Sequence, residues 1–107
     1  MKDKIRRIAN HYRFERQSRQ LAIECAELTQ SVNKYHNFRE SKTTRDEILV
    51  SRDDNNMLIQ TIVEKMADVE ILIDEIKHLL NINPEAIEEI KKLKVNTEIA
   101  TIEQEGR

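Results

Sequence analysis

The residues that interrupt helices are nearly missing from this chain. Its 107 residues include one glycine and one proline, and only 4% are aromatic. Because glycine and proline are the least favourable residues in a helix interior, their scarcity predicts long helices. A chain of this length forms one domain with a modest core. We therefore expect an all-α fold, organised as a single domain over residues 1–107.

Other absences argue against whole classes of function. Cys25 is the only cysteine, so no disulfide can form within the chain, and its place among apolar residues predicts a buried structural thiol. No stretch approaches the roughly 20 apolar residues that span a bilayer. The formal net charge is −2 and the basic residues are dispersed, so neither a nucleic-acid nor a membrane-binding face is expected. We expect a cytoplasmic protein.

Apolar residues at alternating spacings of three and four predict two long amphipathic helices. The first covers residues 14–35 and the second continues to about Leu80. Matching apolar seams predict that the two helices pack together. The seam residues are Phe14, Leu21, Cys25, Leu28, Val32 and Tyr35 in the first helix, and Ile62, Met66, Val69, Ile73, Ile76 and Leu80 in the second.

Shorter segments complete a bundle of about four main helices. Residues 2–11 predict a short leading helix, and residues 36–53 predict a polar connection. Asn83 and Pro84 are typical of an N-cap and a first helical residue, so they predict the start of a final helix. Amphipathic helices this long expose more apolar surface than one thin bundle covers. We therefore expect a homodimer or homotetramer to complete the core.

Three carboxylates flank the two seams. Glu24 and Glu27 lie on one polar stripe of the first helix, and Asp68 flanks the second seam as Glu24 flanks Cys25. Pairing of the helices would bring these acids together. Like charges at a packed surface repel unless a hard divalent cation neutralises them. The pattern therefore indicates a cation site.

The alternative interpretation of the acids is an ordinary solvated helix face. More than a third of the chain is charged, at 36%, and Glu85 and Glu88 repeat the same spacing elsewhere. Those two residues, however, open a helix, where acids interact favourably with the helix dipole. Glu24 and Glu27 lie in mid-helix beside the seam, which favours a specific role.

Two segments resemble the MazG-like all-α nucleotide pyrophosphohydrolases. They are HYRFERQSRQLAIECAELTQSVNKYHN at 11–37 and VEKMADVEILIDEI at 63–76. The resemblance implies that a Glu-x-x-Glu motif and a Glu-x-x-Asp motif on successive helices bind Mg²⁺, with Mn²⁺ as an alternative. It also implies cleavage of a nucleoside or deoxynucleoside triphosphate between its α and β phosphates, giving a nucleoside monophosphate and pyrophosphate.

By this resemblance, Glu24, Glu27 and Asp68 are the expected catalytic and metal-binding residues. Lys65 departs from the family pattern, because it occupies the position of the second motif's glutamate. Three interpretations stay open at this point. Glu64, one helical turn before Asp68, can substitute as a ligand; Lys65 can neutralise a phosphate while three acids retain Mg²⁺; or the chain binds a nucleotide without hydrolysing it.

The expected substrate contacts are Gln17, Lys34, Arg39 and Lys65. The alternative interpretation of Lys34 and Arg39 is that they are ordinary cations facing solvent. The alternative interpretation of Gln17 is that it is a solvated helix residue. Arg13 is a second departure, since many relatives have glycine there. The sequence thus predicts a Mg²⁺-dependent nucleoside triphosphate pyrophosphohydrolase. The alternative is a catalytically weakened nucleotide-binding or helical interaction module.

Overall fold

Three helices make up the part of the chain that a computed structural model describes, residues 1–41 and 52–106. Helix α1 spans Lys2–Ser41, α2 spans Arg52–Leu79 and α3 spans Pro84–Glu105. No strand occurs in these residues. The all-α class predicted from the scarcity of helix-breaking residues is therefore confirmed.

Helix α1 is kinked at Arg13, where the backbone leaves the helical conformation at φ 69° and ψ 171°. Only glycine adopts this region with ease, and other residues there cost about 1–3 kcal/mol. The predicted leading helix and the predicted helix over 14–35 are thus two segments of α1, joined at a single residue. The second segment runs to Ser41, so residues 36–41 are helical although a polar connection was predicted there. Residues 52 and 53 of that connection are likewise helical, at the start of α2, and residues 42–51 lie outside the described residues.

A capped turn separates α2 from α3. Asn81 has a positive φ of 52°, its N–H donates to the carbonyl of His78 at 3.2 Å, and the N–H of Ile82 donates to the carbonyl of Lys77 at 2.8 Å. This pair of bonds is the Schellman arrangement that ends many helices. The Asn83 side chain then accepts from the N–H of Glu85 at 3.0 Å, which confirms the predicted start of the last helix.

Helices α1 and α2 pack antiparallel along their length. The buried apolar residues of the described chain are Ala9, Val69 and Leu72. Two polar residues, Gln17 and Glu75, are also buried. The Gln17 Nε2 donates a hydrogen bond to the Glu75 Oε1 at 2.9 Å. The core of the described chain is therefore small and partly polar.

The face of α1 that meets α2 is rotated from the predicted seam. Cys25 is exposed, so the prediction of a buried thiol is wrong, and Phe14 and Val32 are 42% and 45% exposed. The polar residues Glu24 and Glu27 are instead half-buried against α2. Carboxylates are tolerated in this contact because a basic side chain from α2 lies among them.

Much apolar surface consequently faces outward. Ile59, Met66 and Ile73 on α2 and Leu80, the residue just after its end, recur every seven residues and are all exposed, and none of the residues in α3 is buried. The accessible surface is 9097 Å², whereas a compact chain of 12.7 kDa exposes about 6,200 Å². The radius of gyration is 18.7 Å, against about 13 Å for a compact domain of this length. The single chain is extended and incompletely packed.

None of the helices in the described part of the chain is both long enough and apolar enough to span a bilayer.

Candidate functional site

The predicted acids of α1 and α2 meet around one cation. The Lys65 Nζ lies 2.6 Å from the Glu27 Oε2, 3.6 Å from the Glu24 Oε2 and 3.8 Å from the Asp68 Oδ2. We call Lys65 and these three carboxylates the acid cluster. The sequence prediction that the two helices bring Glu24, Glu27 and Asp68 together agrees with this geometry.

Helical spacing explains the cluster. Glu24 and Glu27 are three residues apart on α1, as Lys65 and Asp68 are on α2, so each pair shares one helix face. Antiparallel packing then sets one pair opposite the other. Within the cluster the charges are unequal, because three carboxylates and one ammonium leave a net charge of −2. The ammonium reduces the repulsion among the acids without cancelling it.

Glu24 has an unsatisfied oxygen. Its Oε1 accepts from the Gln20 Nε2 at 3.1 Å, but its Oε2 is buried and has no hydrogen-bond partner. A buried carboxylate oxygen without a partner is unfavourable unless a cation compensates it. The Lys65 ammonium is near but at 3.6 Å is too far to donate a hydrogen bond. This oxygen therefore has free capacity for a hard cation, and oxygen ligands are what Mg²⁺ prefers.

The contact between Lys65 and Glu27 perturbs both groups. The hydrogen bond from Lys65, aided by its positive charge, holds the pKa of Glu27 below its ordinary value. The same bond, supported by attraction to Glu24, Glu27 and Asp68, raises the pKa of Lys65. Both groups are therefore charged at neutral pH, and the pair is a charge-assisted hydrogen bond.

A groove between α1 and α2 adjoins the acid cluster. Its volume is about 340 Å³, and Lys65 and Lys34 are its two cationic residues. Lys34 was predicted to contact substrate, and the structure places it in this groove. The remaining lining residues are Glu27, Gln30, Ser31, Leu58 and Thr61. A concave surface with two ammonium groups beside an acid cluster can hold an anion next to a cation.

Three other predicted site residues lie elsewhere. The Gln17 amide is buried against Glu75. Arg39 is exposed in the last turn of α1 and does not line the groove. Glu64 is exposed on α2 and is not among the ion-pair partners of Lys65. The structure therefore gathers Glu24, Glu27, Asp68, Lys65 and Lys34 at one place and leaves the other three apart from it.

Among the described residues, no group of three or more histidine, cysteine, aspartate or glutamate side chains is arranged to hold a metal ion. The acids of the cluster surround an ammonium, and shared chelation of a metal would require Lys65 to leave and the carboxylates to draw closer. Carboxylate oxygens are the donor type that such an ion prefers, but in this arrangement they surround Lys65.

Sequence reasoning missed Gln20 as a contributor to this site and, outside the site, Glu75 as the buried partner of Gln17. Gln20 lies four residues before Glu24 on the same polar stripe, so its hydrogen bond to Glu24 was available from helical spacing. The Gln17 and Glu75 pair had no such signal, because nothing in a highly charged sequence distinguishes one glutamate that becomes buried.

The chain matches no family model, no curated protein and no solved structure with which it was compared.

Proposed function

We propose that this chain is a Mg²⁺-dependent nucleoside triphosphate pyrophosphohydrolase that cleaves between the α and β phosphates. The observation that carries the proposal is the meeting of three carboxylates, from two helices, around a single positive charge. The resemblance to MazG-like enzymes supplies the substrate class and the bond that is cleaved. Arg13 is a departure from the many relatives with glycine at this position, although its backbone has the positive φ that glycine tolerates.

The residues of the acid cluster have distinct roles in this proposal. Glu24, Glu27 and Asp68 would hold Mg²⁺ or Mn²⁺, with Glu64 as a provisional further ligand after it reorients. The ion supplies Lewis-acid charge that screens the phosphates and activates a water for in-line attack. Gln20 fixes one oxygen of Glu24 and leaves the other free to face the cluster.

Lys34 and Lys65 bind the phosphates in the same proposal. Both line the groove beside the acids, and an ammonium there offsets the negative charge of a polyphosphate. Gln17 and Arg39, the other proposed substrate contacts, would have to act from outside this groove. The products are a nucleoside monophosphate and pyrophosphate.

A homodimer or homotetramer is part of the proposal. Its support is the excess of exposed surface over that of a compact chain of the same mass, about 2,900 Å², together with the exposed apolar residues of α2 and α3. In such an assembly the two segments of α1 with α2 and α3 make the four-helix MazG-like unit. We place this enzyme in the cytoplasm, with no nucleic-acid or membrane partner.

The test is pyrophosphate release from a panel of ribonucleoside and deoxyribonucleoside triphosphates with Mg²⁺. We expect release from at least one nucleotide, and a fall of about 100-fold or more for Glu27→Gln and for Asp68→Asn, because each removes a proposed ligand. Glu88→Gln is the matched control, since Glu88 pairs with Lys91 on exposed α3. If no nucleotide released pyrophosphate with either Mg²⁺ or Mn²⁺, the proposed enzymatic activity would be refuted.

A second candidate is a nucleotide-binding module without hydrolysis, and the position of Lys65 favours it. Its ammonium lies 2.6 Å from the Glu27 Oε2, which is the oxygen that a metal would use. Calorimetric binding of a nucleotide without product formation would support this candidate. Lys65→Glu separates the two: a gain of hydrolysis identifies Lys65 as the lesion, whereas a loss identifies it as a phosphate contact.

A further inference from the structure

Lys65 stands at the boundary between two environments. Its ammonium contacts all three carboxylates of the acid cluster, and its side chain also lines the groove that contains Lys34. On α2, Asp68 lies three residues after Lys65 on the side of the acids. Thr61 lies four residues before it and lines the groove. A flexible lysine side chain can turn in either direction along the helix.

Lys65 and a divalent ion cannot hold the same oxygens at once. The ammonium donates to the Glu27 Oε2 at 2.6 Å, and Mg²⁺ would need that oxygen at about 2.1 Å. The free protein is therefore neutralised in part by its own cation. A metal that enters the cluster must displace a charge-assisted hydrogen bond, which weakens its binding.

An anion in the groove changes this competition. A phosphate beside Lys34 offers Lys65 a second set of anionic acceptors, close to its position on α2. Once the ammonium turns to the phosphate, the three acids lose their counter-charge. The net charge at their position then changes from −2 to −3. The cluster then attracts a divalent cation more strongly.

We infer that Lys65 is a resident cation which a phosphate anion draws into the groove, so that the anion and the divalent metal bind with positive coupling. The inference rests on the proposed site, because it assigns the groove to phosphate and the acids to Mg²⁺. Since coupling is reciprocal, the metal raises the affinity for the anion by the same factor. An ordinary structural ion pair would instead leave the two ligands independent.

The first test measures Mg²⁺ affinity by calorimetry, with and without sulfate, a tetrahedral dianion that is not hydrolysed. Blank titrations correct for complexes between Mg²⁺ and sulfate in solution. In the wild type we expect sulfate to tighten Mg²⁺ binding by about tenfold. In Lys65→Met we expect tighter binding without sulfate and a change of less than about twofold on adding it.

Lys91→Met is the matched control, because Lys91 pairs with Glu88 at 3.2 Å on the exposed surface of α3. It should retain the coupling of the wild type. Equal Mg²⁺ affinity in the wild type and Lys65→Met, or no effect of sulfate on the wild type, would overturn the inference.

A second measurement needs no variant that folds well. In wild-type protein with ¹³C-labelled lysine and no divalent metal, we expect sulfate to shift the Lys65 Cε signal, and addition of Mg²⁺ to complete the shift. An unmoved signal at saturating sulfate would contradict the inference even if Lys65→Met failed to fold.

These results separate the inference from the proposed function. Coupled binding of metal and anion without pyrophosphate release would reject the proposed enzymatic activity and support the inference about Lys65. Pyrophosphate release with independent binding of metal and anion would support the enzymatic activity and reject the inference about Lys65.

Discussion

Two layers of the contact between α1 and α2 accommodate carboxylates between the helices in different ways. In one, the Glu75 carboxylate is 2% exposed and accepts from the neutral amide of Gln17. In the other, seven residues along each helix, Glu24 and Asp68 share the ammonium of Lys65 and stay half-buried. We call these the closed layer and the open layer. A neutral, buried partner fixes a carboxylate in place, whereas a mobile, partly exposed cation can be exchanged for another.

The difference predicts that the closed layer governs stability and the open layer governs activity. Burial keeps water and ions from the Gln17 and Glu75 pair, so its loss cannot be compensated from solution. The acid cluster borders a groove, so solvent, metal or anion can replace its internal contacts.

The largest effect is expected in the open layer. Glu24→Gln removes a carboxylate with an unsatisfied oxygen, so pyrophosphate release should fall by about 100-fold or more. The melting temperature should stay the same or rise, because one of three like charges is removed. Steady-state assays and thermal unfolding on the same preparation measure both. A large loss of stability with unchanged turnover would reverse the roles of the two layers.

The closed layer should show the opposite behaviour. Gln17→Leu leaves the buried Glu75 carboxylate without its donor, which should lower the free energy of unfolding by about 1–3 kcal/mol. The double variant Gln17→Leu/Glu75→Leu should recover most of that loss, because an apolar pair needs no hydrogen bond. Urea unfolding measures both values. If the double variant is no more stable than the single one, the pair has another function.

A smaller effect should come from the kink, just before the closed layer. Arg13→Gly should raise the free energy of unfolding by about 1 kcal/mol, because glycine tolerates the positive φ that arginine does not. Arg19→Gly is the matched control in an exposed, regular helical position and should lower it by about 1 kcal/mol. Equal destabilisation by both substitutions would show that α1 is regular at Arg13 in solution.

The smallest effect is the pH dependence of the open layer. Lys65 lowers the pKa of Glu27, so this contact stabilises the fold above the ordinary glutamate pKa of about 4.3. That stabilisation is lost as pH falls through the lower folded pKa. Because the pKa of Lys65 is raised, the lysine contributes fully below about pH 10.4 and loses its contribution as pH rises through the higher folded value.

The difference in melting temperature between wild type and Lys65→Met, measured from pH 3 to pH 11, should therefore be greatest between these limits. A difference that does not change with pH would mean that Lys65 contributes through packing alone.

Local sequence signals predicted the helical segments and the turn between α2 and α3, but not the continuation of α1 to Ser41. The Asn83 cap and the break after α2 follow from residues that act within a few positions, and the all-α class follows from composition. Matched three-residue spacings also brought the acids to a common place, because helical geometry leaves little freedom there.

The rotation of the interface could not be predicted in the same way. Periodicity identifies an apolar stripe, but it does not decide which neighbour covers that stripe when polar residues can also pack. Lys65 makes Glu24 and Glu27 acceptable between the helices, and Cys25 is exposed as a result. The periodicity of α1 alone carries no information about this ion pair across the contact.

The seven-residue recurrence of Ile59, Met66 and Ile73 on α2, continued by Leu80 just beyond its end, has a consequence for the shape of any assembly. An α-helix has 3.6 residues per turn, so a strict repeat of seven drifts around a straight helix by about 20° per repeat. Two helices that keep such residues in contact must therefore wind around each other in a left-handed supercoil, crossing at about 20°. From Ile59 to Ile73, within α2, the contact would extend about 21 Å along the axis.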